Sequence, residues 1–292
     1  MTTANVSHIP LTGAPIASEP APAAPGSSAT FRLPGFLRRI PWRGLLLPAI
    51  LLGLWEGFSH SGLINTAILP SLETIARTLG GLVISGDLWI HLGASILRLL
   101  GGFIIAAILG LAVGTVCALS RGADLVLGTP IAAIRQVPLF GWIPLIAVIA
   151  GIGEASKVVF VVLAAFYPIV LNTTQGLRNA PAELVEVGRV FGFGRWLLLR
   201  RVLLPQAVPA VLTGLKHGLT FAGLATVSAE VFMTAGPGLG NLLDYGQANM
   251  RVDLVLIGVA FIGLLGVSLT SLITLLERRL LRWRTPNRQD QP

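Results

Sequence analysis

Six long apolar runs, separated by short polar connections, dominate the pattern of this chain. A helix needs about 20 mostly apolar residues to cross the ~30 Å hydrocarbon core of a bilayer. The pattern therefore predicts an all-α membrane protein with six transmembrane helices. The predicted spans are residues 44–61, 92–119, 125–150, 158–174, 206–233 and 254–276.

Small residues and prolines add detail to two of these spans. In the second, Gly102, Ala106, Gly110 and Gly114 recur every fourth position. A stripe of small residues lets a neighbouring helix approach closely, so we predict a packing face there. In the third, Pro138 and Pro144 bracket the aromatic stretch 140–142. Because proline interrupts helical hydrogen bonding, this span is predicted to be broken.

Composition supports the membrane class. The chain of 292 residues is 53% hydrophobic and 12% charged, with a mean hydropathy of +0.79, whereas a soluble domain carries about 25% charged residues. The net charge of +8 comes from cations that lie between apolar runs, which argues against a nucleic-acid partner. The single cysteine, Cys117, excludes an intrachain disulfide, and no two histidines have metal-ligand spacing.

The distribution of Lys and Arg predicts the orientation. With the N-terminus inside, sixteen of these cations fall on the cytoplasmic side, and three, Arg77, Lys157 and Arg251, fall outside. By the positive-inside rule both termini are then cytoplasmic. The predicted regions are a disordered tail at 1–31, a segment at 32–90 with a basic juxtamembrane patch, the first span and an external helix, a core at 91–276, and a basic cytoplasmic tail at 277–292.

The longest polar-rich interval between two spans is residues 181–205, which we call the elbow segment. Pro181 suits the first turn of a helix. Gly192 and Gly194 then favour a break in that helix, because glycine relaxes the backbone. A second short amphipathic helix is predicted to run up to Pro205, which opens the next helix. Two short helices joined at glycine, on the cytoplasmic side, form a surface that a soluble partner protein can bind.

This segment resembles the cytoplasmic "EAA" loop of ATP-binding-cassette (ABC) importer permeases. The loop's pattern is E-A-A, three residues, G, nine residues, I-x-L-P. Glu186 takes the place of the glutamate, Gly192 follows at the right gap, and 202–205 match the ending, while Val187 and Gly188 depart from the two alanines. The residues that the resemblance assigns to ATPase coupling are Glu183, Glu186, Gly188, Gly192, Val202, Leu204 and Pro205.

The resemblance extends over roughly residues 91–276 and is strongest to the nitrate, sulfonate, taurine and bicarbonate branch of these permeases. It implies a type I importer fold in the bacterial inner membrane, a cytoplasmic ATPase dimer, an external solute-binding protein and a pair of permease subunits, which we expect to be a homodimer. The chain has no G-x-x-x-x-G-K-[ST] phosphate loop. We therefore expect no enzyme activity and no cofactor in this chain, with ATP and magnesium held by the partner.

Charges within spans are costly and are candidates for function. For the path of a small anion, the candidates are Arg98, Arg135 and Lys216, the last placed near mid-membrane. A structural role, such as an interhelical hydrogen bond or snorkelling to the interface, also explains each of them and is the favoured interpretation. Glu230 and Asp244, at the outer end of the fifth span and in the following loop, are candidates for contact with the binding protein.

Other functions remain open on the sequence. The cargo could be another small solute, such as bicarbonate, a vitamin precursor or an aromatic acid. A secondary transporter would show inverted repeats and a membrane-embedded carboxylate for ion coupling, and neither is clear. An intramembrane enzyme would need paired carboxylates, a nucleophile with its base, or a metal cluster, and none is visible.

Overall fold

The structure, a computed structural model, describes residues 42–62, 65–233 and 236–280. These residues form helices and turns, with no strand among them. The predicted tail at 1–31, residues 32–41 of the predicted basic patch at 32–43, and most of the C-terminal tail lie outside the described residues. The helices are α1 Trp42–His60, α2 Leu72–Ser85, α3 Asp87–Leu119, α4 Arg121–Ala123, α5 Thr129–Gln136, α6 Ile143–Ala150, α7 Glu154–Arg178, α8 Ala182–Val190, α9 Arg195–Leu198, α10 Leu204–Phe232, α11 Leu239–Ala248 and α12 Val252–Leu280.

The chain divides into two compact units, residues 1–50 and 51–292. Of the first, the structure describes residues 42–50, the N-terminal part of α1, in which Leu46, Leu47 and Ile50 are exposed. The features described below belong to the second unit. There α2 begins at an N-cap, where the Ser71 hydroxyl accepts the Thr74 N–H. The short helix predicted after the first span is therefore confirmed.

Helix α7 lies at the centre of the second unit, between α3 and α10. Glycines allow both contacts. A Cβ on Gly102 would lie 2.6 Å from Val161 Cγ1, and one on Gly110 2.8 Å from Ile169 Cγ2. On the other side, a Cβ on Gly218 would lie 2.8 Å from Ile169 Cδ1. The small-residue stripe of the second span is thus a packing face, as predicted.

The third predicted span is bent by 102° between residues 121–136 and 139–150. Pro138 lies in the break, and a short 3₁₀ turn, Leu139–Trp142, leads into α6. Proline disfavours the α conformation in the residue before it, and Val137 accordingly is extended, with φ −76° and ψ 125°. The predicted break is confirmed.

Four described helical segments are long and apolar enough to cross a membrane: Asp87–Leu119, Glu154–Arg178, Arg195–Phe232 and Val252–Leu275. The bent pair adds a fifth if it is one span. Helix α1 occupies the position of the first predicted span. The count of six spans and the cytoplasmic placement of both termini stay predictions.

Candidate functional site

The elbow segment turns at a Schellman motif that ends α8. Gly192 has φ +72°, a left-handed conformation that glycine adopts without a steric penalty. The Phe193 N–H donates to the Gly188 carbonyl at 2.9 Å, and the Gly192 N–H to the Arg189 carbonyl at 2.9 Å. These two bonds satisfy carbonyls that the end of a helix leaves without partners. Gly192 therefore makes the predicted turn.

Helix α8 folds back onto the helix that follows the turn. Gly188 is buried, and a Cβ there would lie 2.8 Å from Leu198 Cδ1 and 3.6 Å from Val202 Cγ2. The small residue at this position thus lets α8 approach Leu198 and Val202 closely. Two of the residues that the motif singles out, Gly188 and Val202, hold the elbow together.

The predicted second short helix proved to be part of a longer one. Helical structure runs without interruption from Arg195 to Phe232, so Pro205 lies inside it. A proline ring clashes with the carbonyl four residues earlier, here that of Arg201. A π-helical turn, Leu199–Leu203, precedes the proline and widens the helix at that point. Pro205 thus lies in the first turn of α10, as predicted, but the prediction of a separate short helix before it was wrong, because the π-helical turn joins that helix to α10.

The outward face of the elbow combines carboxylates with large apolar side chains. Glu183 and Glu186 are exposed. Beside them Val190 is 86% and Phe191 75% exposed, and Trp196 after the turn is 71% exposed. Apolar side chains this open to water, next to charges, are typical of a surface that meets another protein.

At the opposite ends of α7 and α10 lies a group of charges, which we call the ion cluster: Arg98, Lys157 and Glu230, which are buried, and Glu154, whose side chain is 59% exposed. Arg98 Nε donates to Glu154 Oε2 at 2.9 Å, and its Nη2 donates to Glu154 Oε1 at 2.8 Å. Its Nη1 donates to Glu230. Lys157 Nζ lies 3.5 Å from Glu154 Oε1. The side chains of Arg98, Lys157 and Glu230 are at most 2% exposed, so each charge has its partner inside the protein.

Backbone groups next to α11 complete the ion cluster. The Gly240 N–H donates to Glu230 Oε2 at 2.8 Å, and Ser95 Oγ donates to Glu230 Oε1 at 2.8 Å. A Cβ on Gly240 would lie 2.5 Å from Glu230 Cβ, and one on Gly238 2.6 Å from Glu230 Cδ. Nδ1 of His91 lies within 2.9 Å of both the carbonyl oxygen and the N–H of Gly238. The cluster thus ties α3, α7 and α10 to the start of α11.

These positions correct three expectations. The Arg98 guanidinium is occupied by two carboxylates and the Pro237 carbonyl, so it is not free to bind a passing anion in this structure. The Glu230 side chain is fully buried and therefore does not reach an external protein. Lys157, placed in an external connection, is buried within the first turn of α7.

The remaining candidates do not lie together. Lys216 Nζ is 3.6 Å from Glu277 Oε2, close to the C-terminal end of α12. The Arg135 guanidinium lies over the Tyr167 ring, 4.7 Å from its centroid. Asp244 is half-buried on α11. Within the part of the chain that the structure describes, no group of three His, Cys, Asp or Glu side chains could hold a metal ion.

Sequence reasoning missed His91, Ser95 and Glu154. The first two had a usable signal, because residues four apart share a face of a helix, and with Arg98 they form a polar stripe in an otherwise apolar run. Polar side chains within the membrane are usually paired with other polar groups. Glu154 carried no such signal, since it lies in a short connection where a carboxylate is ordinary.

Comparison with known proteins identifies the family of this architecture. Residues 108–282 match the family described as binding-protein-dependent transport system inner membrane component. A Bacillus subtilis (strain 168) protein, provisionally named an aliphatic sulfonates transport permease, SsuC, is 35% identical over 248 residues, covering 85% of this chain and 90% of the relative. The riboflavin transport system permease RibX of Chloroflexus aurantiacus is 36% identical over 251 residues, covering 85% and 93%.

The fold has also been seen in a solved structure. A chain of the MetNI methionine ABC transporter, in an inward-facing conformation, superposes with a TM-score of 0.56 at 22% identity. The match covers 68% of this chain and 96% of that one. At this identity the likeness concerns the fold, which is that of a type I importer permease, as predicted.

Proposed function

The chain belongs to the family of binding-protein-dependent transport system inner membrane components, and from this membership we propose that it forms the translocation path of an ATP-driven importer for a small organic anion. Family members are multi-pass permease subunits of the inner membrane rather than enzymes. In our proposal the energy enters from a cytoplasmic ATPase dimer, which holds ATP and magnesium, and an external binding protein delivers the cargo. The pairing of two copies of this chain stays a prediction.

The observation that carries the coupling proposal is the exposed face of the elbow segment. Its two carboxylates lie one to two turns before Val190 and Phe191, whose side chains are open to water. The segment is braced by Gly188 and leads without interruption into α10. A helix docked in a groove of an ATPase would pass a push or pull through the braced turn at Gly192 to the continuous helix Arg195–Phe232, which contains α10.

Reversing one charge tests this role. We expect Glu186→Lys to abolish co-purification of the ATPase in mild detergent, or to leave hydrolysis running without uptake. The matched control is Glu73→Lys, which reverses an exposed carboxylate on α2 and should leave the complex intact. Full uptake and unchanged co-purification with Glu186→Lys would refute the assignment.

For the cargo we favour an aliphatic sulfonate or taurine. The SsuC relative supports this choice, and so does an arginine that faces a cavity without a carboxylate partner, described below. The similarity to a riboflavin permease favours a vitamin-sized cargo as the second candidate. Uptake of labelled taurine, methanesulfonate and riboflavin, by cells with and without the chain, separates the two: sulfonate uptake that requires the chain is expected, and riboflavin uptake alone would favour the second.

A secondary transporter is the less favoured alternative. Such a protein needs a carboxylate that binds and releases an ion within the membrane. Glu230 is a buried carboxylate, but Arg98, Ser95 and Gly240 occupy its oxygens. We therefore expect no transport in liposomes that contain this chain alone. Cargo accumulation in such liposomes, driven by an ion gradient, would overturn the importer proposal.

A further inference from the structure

The bend in the third span borders a cavity of about 490 Å³, a volume within the usual range for small-molecule sites. Helices α5, α7 and α10 line it together with the 3₁₀ turn after Pro138. Most of its walls are apolar side chains, such as Leu163, Phe166 and Phe221. Its polar residues are Arg135, Tyr167, Asn172 and His217. We call it the Arg135 cavity.

Arg135 carries a positive charge that no described carboxylate neutralises. Among the described residues, none of the ion pairs includes Arg135, and its described contact is the face of the Tyr167 ring. The described lining of the cavity contains no carboxylate. The Arg135 side chain is exposed, so its guanidinium is open to a ligand, and an ionisable group in a span is a candidate for function.

The other two candidate cations, Arg98 and Lys216, both have carboxylate partners. Arg98 is satisfied by two carboxylates, and Lys216 lies beside Glu277. Lys216 also lines a cavity with no carboxylate in its described lining, but it has Glu277 as a partner, so Arg135 alone of these three has no carboxylate partner among the described residues. Its planar guanidinium offers parallel N–H donors that match an oxyanion. His217, on α10, also lines the cavity and adds a ring N–H that can donate.

We propose that the Arg135 cavity binds the oxyanion group of a small organic anion, a sulfonate above all, with Arg135 and His217 as its polar contacts. The apolar walls take the hydrocarbon part of the same molecule. The proposal rests on the proposed function in one respect, because it takes the cargo to be an anion. It assigns to the permease a site of its own, in addition to the selection made by the binding protein.

The test measures the charge preference of the cavity without transport. Cys117 is the only cysteine, so Cys117→Ala gives a background without thiols. Val137 lines the cavity and is 43% exposed, and Val137→Cys places a thiol there. The purified full chain reacts either with 2-sulfonatoethyl methanethiosulfonate, which itself carries a sulfonate, or with the cationic 2-(trimethylammonio)ethyl methanethiosulfonate. For each variant we take the rate with the anionic reagent divided by the rate with the cationic reagent. The ratio for Val137→Cys is then divided by the ratio for Thr66→Cys, at an exposed position. This normalisation removes the difference in intrinsic reactivity between the two reagents.

We expect the normalised ratio at Val137→Cys to favour the anionic reagent by about tenfold, since a single unscreened charge a few ångströms away changes local ion concentrations by at least this much. Arg135→Ala should bring the ratio to about one, Arg135→Lys should retain part of the preference, and His217→Gln should lower it less than Arg135→Ala. The matched control Arg77→Ala removes an exposed cation on α2 and should leave the ratio unchanged.

A normalised ratio near one, a ratio that Arg135→Ala does not change, or failure of both reagents to react would overturn the proposal. The outcome is independent of the importer proposal. A charge-selective cavity in a chain that neither retains an ATPase nor supports uptake would leave the site standing and the proposed function refuted. If the chain retains the ATPase and supports uptake but the normalised ratio is one, the proposed function stands and the site proposal is refuted.

Discussion

The ion cluster and the elbow segment lie at opposite ends of α7 and α10 and use the same charged residue types in opposite ways. In the ion cluster, Arg98 and Glu230 are buried and each finds its partner within the chain. In the elbow segment, Glu183 and Glu186 are exposed and form no ion pair with any described residue.

This difference indicates at which end of the bundle the charged side chains are paired within the chain and at which end they are left for a partner. Removing one partner of a buried ion pair costs about 3–5 kcal/mol because the other charge stays buried, whereas exposed charges contribute about 0–1 kcal/mol. Breaking the ion cluster is therefore expected to destabilise the fold of this chain. The exposed carboxylates of the elbow segment contribute little to that fold, so contact with a partner best explains them.

The largest effect should come from the ion cluster. We expect Arg98→Ala to lower the free energy of unfolding by about 3–5 kcal/mol, since Glu230 is left buried with no guanidinium. Denaturant unfolding of the purified chain in detergent measures the loss. The control Arg77→Ala breaks an exposed i,i+4 pair with Glu73 and should change little. If Arg98→Ala and Arg77→Ala are equally stable, the ion cluster does not stabilise the packing of these helices.

The next effect concerns how closely α11 approaches α10. Gly240→Ala places a methyl group 2.5 Å from Glu230 Cβ and 2.8 Å from the Val227 carbonyl oxygen. Backbone cannot move aside as a side chain can, so we expect a loss of about 1–3 kcal/mol in the same assay. Gly101→Ala is the matched control, because nothing lies within 4 Å of its added Cβ. A destabilised Gly101→Ala would contradict the assignment to steric contact.

At the elbow the expected effect on stability is smaller and arises from backbone strain. Gly192→Ala puts a side chain on a residue with φ +72°, which costs about 1–2 kcal/mol. We expect little change in the unfolding of the whole chain but faster proteolysis at the turn. Gly194→Ala, where φ is −67°, should be cleaved at the rate of the unaltered chain. Equal cleavage of both variants would count against a strained turn.

The smallest effect on stability should accompany a large effect on assembly. Phe191 is 75% exposed, so we expect Phe191→Ser to change the free energy of unfolding by no more than about 0.5 kcal/mol. If the exposed face meets the ATPase, co-purification of that subunit should nevertheless fall sharply. Ile84→Ser, at an 89% exposed position on α2, controls for the loss of a surface apolar group. If the amount of co-purified ATPase is unchanged in Phe191→Ser, this face does not take part in coupling.

The sequence alone determined the features that depend on local composition. Long apolar runs specify membrane-crossing helices, because backbone groups in lipid must be satisfied within the helix. Pro138 breaks the third span and Gly192 makes the turn of the elbow, since each restricts or frees its own backbone. The separate short helix predicted before Pro205 is the exception, because a π-helical turn joins it to α10.

Only the tertiary structure decided which charges meet. Glu154 and Glu230 lie 56 and 132 positions from Arg98, and no local pattern links residues at such distances. Whether they pair depends on how α3, α7 and α10 are rotated against one another, which is set by close contacts at glycines such as Gly102 and Gly218. The same packing leaves Arg135 facing a cavity. Side-chain pairing between helices is a property of their packing, and therefore becomes visible only once the bundle is assembled.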